Sequence, residues 1–192
     1  MAMHKAKIVE IIPPKDIWQG PANAPVALVE FGDYESEACA RVHEVVKKLL
    51  QTFEGDLKFC FRHFPLTQIH QRAQKAAEAA VAASQEGKFW DMHELLFRYR
   101  RSLGSASLKE YAREAGVTDK NILPKLVDSL YGWTVRNDLL EGLEKGVRDV
   151  PAFFINGEPL TGKPTYENLR KAIEEVLKQG KKKTKTAVRQ RA

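Results

Sequence analysis

The sequence predicts an α/β domain interrupted by a block of helices, and three observations carry that expectation. An apolar, β-branched run from Val26 to Phe31 leads through Gly32-Asp33 into a segment with apolar residues at helical spacing, and a second apolar run, Leu57 to Arg62, follows Gly55-Asp56. Strand, helix, strand at that spacing is a βαβ unit with a right-handed parallel crossover. From Thr67 to Gly146 the pattern is almost wholly helical, and Val150 to Gly157 then resumes the sheet, with Asn156-Gly157 as a hairpin turn. A chain of 192 residues suits one such domain carrying an insertion.

Taken in order, residues 1–14 form an extension with one expected edge strand, Lys7 to Ile12, stopped by Pro13-Pro14. The turn-rich stretch Asp16 to Pro25 leads into the central strand. A helix is expected from Ser36 to about Phe53, then the strand Leu57–Arg62, closed by Phe64-Pro65. The insertion, about 67–146, opens with the Ala-rich Ile69 to Glu86, whose small side chains let helices approach closely. Phe89, Trp90, Met92, Leu95, Leu96 and Phe97 recur at helical spacing, and helices over Leu108–Ala115, Asn121–Leu130 and Trp133–Lys145 complete it. Glu158 to Thr161 is a return strand, and Tyr166 to Leu177 closes the domain as an amphipathic helix. The domain is thus bounded at 15–178, with a basic, solvated and disordered tail over 179–192.

The net charge of +6 belongs to the last stretch, Lys178 to Ala192. Lys178, Lys181, Lys182, Lys183, Lys185, Arg189 and Arg191 stand there without an acid, and taking those seven from the 31 basic residues leaves 24 against 25 acidic ones, a body charge of −1. No aromatic residue accompanies the lysines for base stacking, so nucleic acid is not an expected partner. No apolar run reaches membrane-spanning length, and the first ten residues do not read as a signal peptide, so a cytoplasmic location is expected. Two cysteines, Cys39 and Cys60, agree with a reducing compartment; neither sits in a paired metal-ligand motif, so no metal site is expected. One opens a helix and the other lies mid-strand, which argues against a disulfide between them.

The chemistry-bearing stretch is Phe31-Gly32-Asp33-Tyr34-Glu35-Ser36-Glu37-Ala38-Cys39. It resembles the F-x-D-(F/Y)-x-C-P-x-C segment of DsbA-like thiol–disulfide oxidoreductases, through Phe31, Asp33, Tyr34 and Cys39. A second match is Val150-Pro151-Ala152-Phe153-Phe154, which is similar to the cis-proline loop that the family places opposite its active-site turn. Phe64-Pro65 and His70 are similar to the family's F-P-L…H segment. The resemblance spans about Ile17 to Leu177 and implies a thioredoxin-like fold with an all-helical insertion, a cis Val150–Pro151 bond, and a groove for an extended peptide or protein thiol substrate.

The departures matter as much as the matches. Ser36 stands where the family has its nucleophilic cysteine, and Glu37 replaces the proline. A serine hydroxyl forms no disulfide and is a good helix N-cap. Glu37 favours the helix dipole but disfavours a neighbouring thiolate. Cys39 is then either a monothiol centre or a small buried hydrophobe, and His43, one turn on, is either a neighbour sharing its face or a core histidine. Three functions stay open: a monothiol redox activity through Cys39, with glutathione as a co-substrate; a non-catalytic binding module using Glu37, Ala38, Val150 and Pro151; and a glutathione-dependent transferase or isomerase, since proteins of that class share the general fold and use a serine near the position of Ser36. No resident cofactor is implied.

Overall fold

The structure, a computed structural model, describes residues 11–189. Most of the edge strand expected over Lys7–Ile12 lies outside the described residues, and Ile11 and Ile12 belong to no strand. A short 3₁₀ turn, Pro14–Asp16, is followed by β1 (Val26–Gly32), α1 (Glu37–Thr52) and β2 (Leu57–His63). Five helices come next: α2 (Ala73–Ser84), α3 (Phe89–Arg98), α4 (Ser105–Glu114), α5 (Ile122–Val127) and α6 (Gly132–Glu144). The chain then returns through β3 (Ala152–Ile155) and β4 (Glu158–Pro159) and ends in α7 (Tyr166–Arg189).

The four strands order as β2-β1-β3-β4. β1 pairs parallel with β2, Val26 opposite Leu57, and antiparallel with β3, Phe31 opposite Ala152. The βαβ unit, the insertion and the hairpin are where the sequence places them. The hairpin turn takes left-handed backbone at Asn156 (φ 49°) and Gly157 (φ 89°), the conformation for which Asn-Gly is suited.

Side-chain parity splits the sheet into two packed faces. Val26, Leu28 and Glu30 of β1 and Phe59 and Phe61 of β2 share one face; Phe31, Arg62 and Phe154 share the other, where Phe31 and Phe154 meet edge-on at 5.7 Å. α6 crosses the second face at Gly142, where a Cβ would lie 2.7 Å from the Phe64 ring and 3.0 Å from that of Phe31. An ion network ties the same helix to β2: Arg62 Nε donates to Asp138 Oδ1 at 2.7 Å, Arg62 Nη2 donates to Glu141 Oε2 at 2.6 Å, and the His63 backbone N–H donates to Asp138 Oδ2 at 3.0 Å.

Three boundaries differ from the expectations. The Ala-rich helix begins at Ala73 rather than Ile69, because residues 66–72 are tied to acids of the β1–α1 loop: the Leu66 N–H donates to Asp33 and the Arg72 N–H to Glu35. The return strand ends at Pro159, not Thr161, with one further backbone bond to β3, from the Leu160 N–H to the Phe153 carbonyl at 2.8 Å. α7 continues to Arg189, past Leu177 where the apolar pattern stops, so residues 179–189, set apart by charge as a disordered tail, carry helical backbone here. Lys, Gln, Ala and Arg are good helix formers, and no proline intervenes.

Asp138→Ala should leave the buried Arg62 with Glu141 alone and orphan the His63 N–H. The expected cost is about 3 kcal/mol, read as a lower urea midpoint at unchanged slope. A midpoint equal to that of the parent protein would show that Glu141 suffices.

Candidate functional site

β1 delivers the chain to the site and Asp33 holds the turn that follows. The Asp33 carboxylate is buried and fully engaged: Oδ1 accepts from the Glu35 N–H at 2.7 Å, and Oδ2 accepts from the Leu66 N–H at 2.9 Å and lies 2.8 Å from His70 Nδ1. His70, matched in the sequence as part of a loop motif, is thus a strut between the insertion and the active-site turn.

Ser36 is the N-cap of α1. Its backbone is extended (φ −68°, ψ 126°), its hydroxyl oxygen accepts from the Cys39 N–H at 3.3 Å, and its side chain is buried. The capping role expected for it is the one observed. Ala38 is half-buried on the same first turn. Glu37 points outward and is paired with Arg41 at 2.7 Å and Arg100 at 3.7 Å. Sequence adjacency makes Glu37 the acid expected to act on Cys39; two guanidinium groups neutralise it instead, and the acids placed to bear on the thiol are Glu30 and Asp33.

Cys39 lies on the inward face of α1 with 0% exposure. Burial pushes its thiol far above the usual cysteine range, and any charge on Glu30 adds to the shift. Glu30 is the residue that sequence reasoning missed. It sits in mid-β1 on the face shared with Phe61, 1% exposed, and its Oε1 has no hydrogen-bond partner. Desolvation raises its pKa well above the ordinary carboxylate value, so burial favours its neutral form. The signal was present in V-A-L-V-E-F: at strand parity Glu30 shares the face of Val26 and Leu28.

A cluster of rings closes this side of the sheet. The Tyr34 hydroxyl and His93 Nδ1 share a 2.9 Å hydrogen bond, and His93 lies 4.7 Å from Phe61 and 5.0 Å from Phe97, centroid to centroid. His43 stacks on Phe97 at 4.8 Å, with Nε2 3.1 Å from Glu94 Oε1. Burial lowers the pKa of both imidazoles, that of His43 against the pull of Glu94. Of the two readings for His43, the core histidine is the one seen.

Val150 and Pro151 stand at the same end of the sheet as Ser36, because Ala152 pairs with Phe31 just before the Gly32–Ser36 turn begins. The Val150–Pro151 bond is cis, as expected. The Val150 N–H, the donor a bound peptide would use, is occupied by the neighbouring Asp149 Oδ1 at 2.8 Å. A cavity of about 230 Å³ opens beside Pro151, lined by Val147, Phe154 and Pro164 among others. A larger one of about 950 Å³ lies at the opposite end of the sheet, between Pro25, Ile155 and Val176.

Cys60 belongs to neither region. Opposite Val29 in the register, it faces away from Cys39, donates to the Pro14 carbonyl at 3.3 Å, and has a pKa pushed by burial to about 12. Both cysteines are free thiols. Among the described residues no group of three or more His, Cys, Asp or Glu is placed to hold a metal ion.

The Glu30 shift has a defined sign in stability. The folded protein keeps a proton that the unfolded chain releases near pH 4.5, so the Glu30 contribution is fully present below that value and is lost as pH rises toward the folded-state pKa. Glu30→Gln removes this linkage. As pH rises above 4.5, the stability of the parent protein should fall relative to the variant, with a limiting slope of about 1.4 kcal/mol per pH unit. A pH-independent difference in denaturation free energy would mean that Glu30 is ionised in the fold.

The chain matches the family profile described as thioredoxin over residues 13–175. It is similar to BdbD of Bacillus subtilis (TM-score 0.77, 24% identity, covering 86% of this chain and 93% of that one) and to α-DsbA1 of Wolbachia pipientis (TM-score 0.74, 19% identity, 91% and 96%). Among curated proteins it is 35% identical over 166 residues to a Na⁺/H⁺ antiporter NhaA 1 of Salinispora arenicola, covering 86% of this chain and 25% of the antiporter. The chain therefore spans about a quarter of the length of the curated relatives it matches. With the profile covering most of its length and the fold matching end to end, this chain belongs to the thioredoxin family and has a DsbA-like thioredoxin fold.

Proposed function

We propose that this chain is a non-redox member of its family, a module that holds an extended segment of a partner protein against the Ser36 turn and the Val150–Pro151 loop. The observation that carries this reading is the complete burial of Cys39, in the same layer as the buried Glu30. Thiol–disulfide exchange starts with a thiolate that can reach a second sulfur, and burial opposes both requirements. Ser36, where the family's nucleophile would stand, is engaged as a cap. The monothiol and glutathione-dependent readings both need a group at this turn free to react, which makes the binding module the better supported of the three. The cytoplasmic location belongs to the same proposal and rests on the two free thiols. Ion transport is not carried over, since the match covers a quarter of the antiporters and no helix among the described residues is long and apolar enough to cross a membrane.

Thiol titration tests the proposal. Native protein should release almost no chromophore from an aromatic disulfide reagent, and unfolded protein should release two equivalents, one per cysteine. In insulin reduction with dithiothreitol the natural sequence should stay at background, while Ser36→Cys, which rebuilds a C-x-x-C pair with Cys39, should turn over. Because Arg41 and Arg100 neutralise Glu37, adding Glu37→Pro should change that turnover little. One rapidly titrating equivalent in the native protein, abolished by Cys39→Ser, would defeat the non-redox reading.

Peptide binding gives a second expectation. Asp149→Ala frees the Val150 N–H, and an array of cysteine-free extended peptides should be bound about fivefold more tightly, the worth of one hydrogen bond near 1 kcal/mol. Equal binding by both proteins would place the peptide elsewhere.

A further inference from the structure

The exposed face of α6 is used by neither the core nor the Ser36 turn. Its inward face is accounted for by Val135, Asp138 and Gly142, all buried. Its outward face shows Trp133 at 67% exposure and Leu140 and Leu143 at 40% each. Arg136, Asn137 and Glu144 are exposed among them, and at helical spacing all six positions fall within about 60° either side of Leu140. An apolar stripe bearing tryptophan, on a helix whose other side is fully packed, is the mark of a contact surface.

We propose that α6 pairs antiparallel with α6 of a second copy of this chain, about a two-fold axis at Leu140. Charge complementarity selects that occupant. Arg136 and Glu144 each stand four residues from Leu140, about 6 Å along the helix on opposite sides. A two-fold axis at Leu140 therefore brings Arg136 of each copy level with Glu144 of the other, giving two opposite-charge pairs around a Leu140–Leu140 contact. Neither residue has an ion pair among the described residues, whereas Glu141 on the same helix is paired with Arg62 and Lys145. The stripe has one base and one acid and no basic cluster, so its charge suits self-pairing better than an anionic bilayer. At about 18 Å long it is smaller than a standard interface, and the dimer should dissociate on dilution.

Sedimentation velocity of the full chain over a wide concentration range tests this. A monomer–dimer equilibrium is expected, weakened by high salt. Leu140→Asp should give a monomer, and Arg136→Glu and Glu144→Arg should each weaken the dimer about tenfold or more, by placing like charges together. The double variant Arg136→Glu with Glu144→Arg should recover dimerisation, an outcome that misfolding cannot mimic. Far-UV circular dichroism and thermal midpoints confirm that each variant is folded. A monomer at every concentration, a dimer indifferent to the single reversals, or a double variant no better than the singles would overturn the proposal. Binding to anionic vesicles by a persistently monomeric chain would assign the stripe to a membrane surface instead, and would equally overturn it.

Discussion

Everything at the site depends on β1 being hydrogen-bonded along both edges, to β2 on one side and β3 on the other. A strand so placed has both faces covered, and each residue must fit the layer that its parity assigns. Phe31 meets Phe154 and the α6 side; Leu28 and Glu30 meet the α1 side. Gly32, the last residue, has no room for a side chain: a Cβ would lie 2.5 Å from the Phe61 ring and 3.1 Å from Glu30 Oε1. One constraint thus dictates the glycine that ends the strand and the desolvation that raises the pKa of the acid two residues before it.

The turn leaving β1 is fixed by a single carboxylate. Asp33 serves the Glu35 and Leu66 N–H groups and His70, so the active-site turn and the entry to the helical insertion form one rigid piece. Ser36 fits this piece without strain. Serine caps a helix better than apolar residues by about 1 kcal/mol, so the chain that lacks the family's first thiol gains local order at α1. The start of α1 and the incomplete C-x-x-C motif are two consequences of the same side chain.

Local patterning made most of this legible. The apolar run of β1, the cap at Ser36, the Ala-rich helix and the Asn-Gly turn are signals within a few residues of one another, and the V-P-A-F-F match anticipated the cis bond. What sequence could not resolve were contacts between distant segments. Arg100 reaches Glu37 from beyond α3, and that contact reverses the electrostatic role that adjacency to Cys39 suggests for Glu37. The start of α2 slips to Ala73 because Glu35, 37 residues earlier, takes the Arg72 N–H. Glu30 was visible by parity, yet its lack of a partner is a property of the packed layer.

The state of Cys39 follows from that packed layer rather than from its own neighbours in sequence. One turn further along α1, His43 is stacked on Phe97 and stands 5.0 Å from His93, which in turn bonds Tyr34 from the active-site turn. α1 is therefore clamped from two directions, by the turn that starts it and by the ring cluster that covers it. Cys39 shares this layer with Phe61, Phe97 and Glu30, all buried, so parting α1 from it would expose two rings and an acid. Exposing either ring costs on the order of 1–3 kcal/mol, whereas exposing Glu30 relieves the desolvation of its carboxyl. The burial of Cys39 is thus a property of that layer, built from β1, β2, α1 and α3, and not of the residues beside it in the chain.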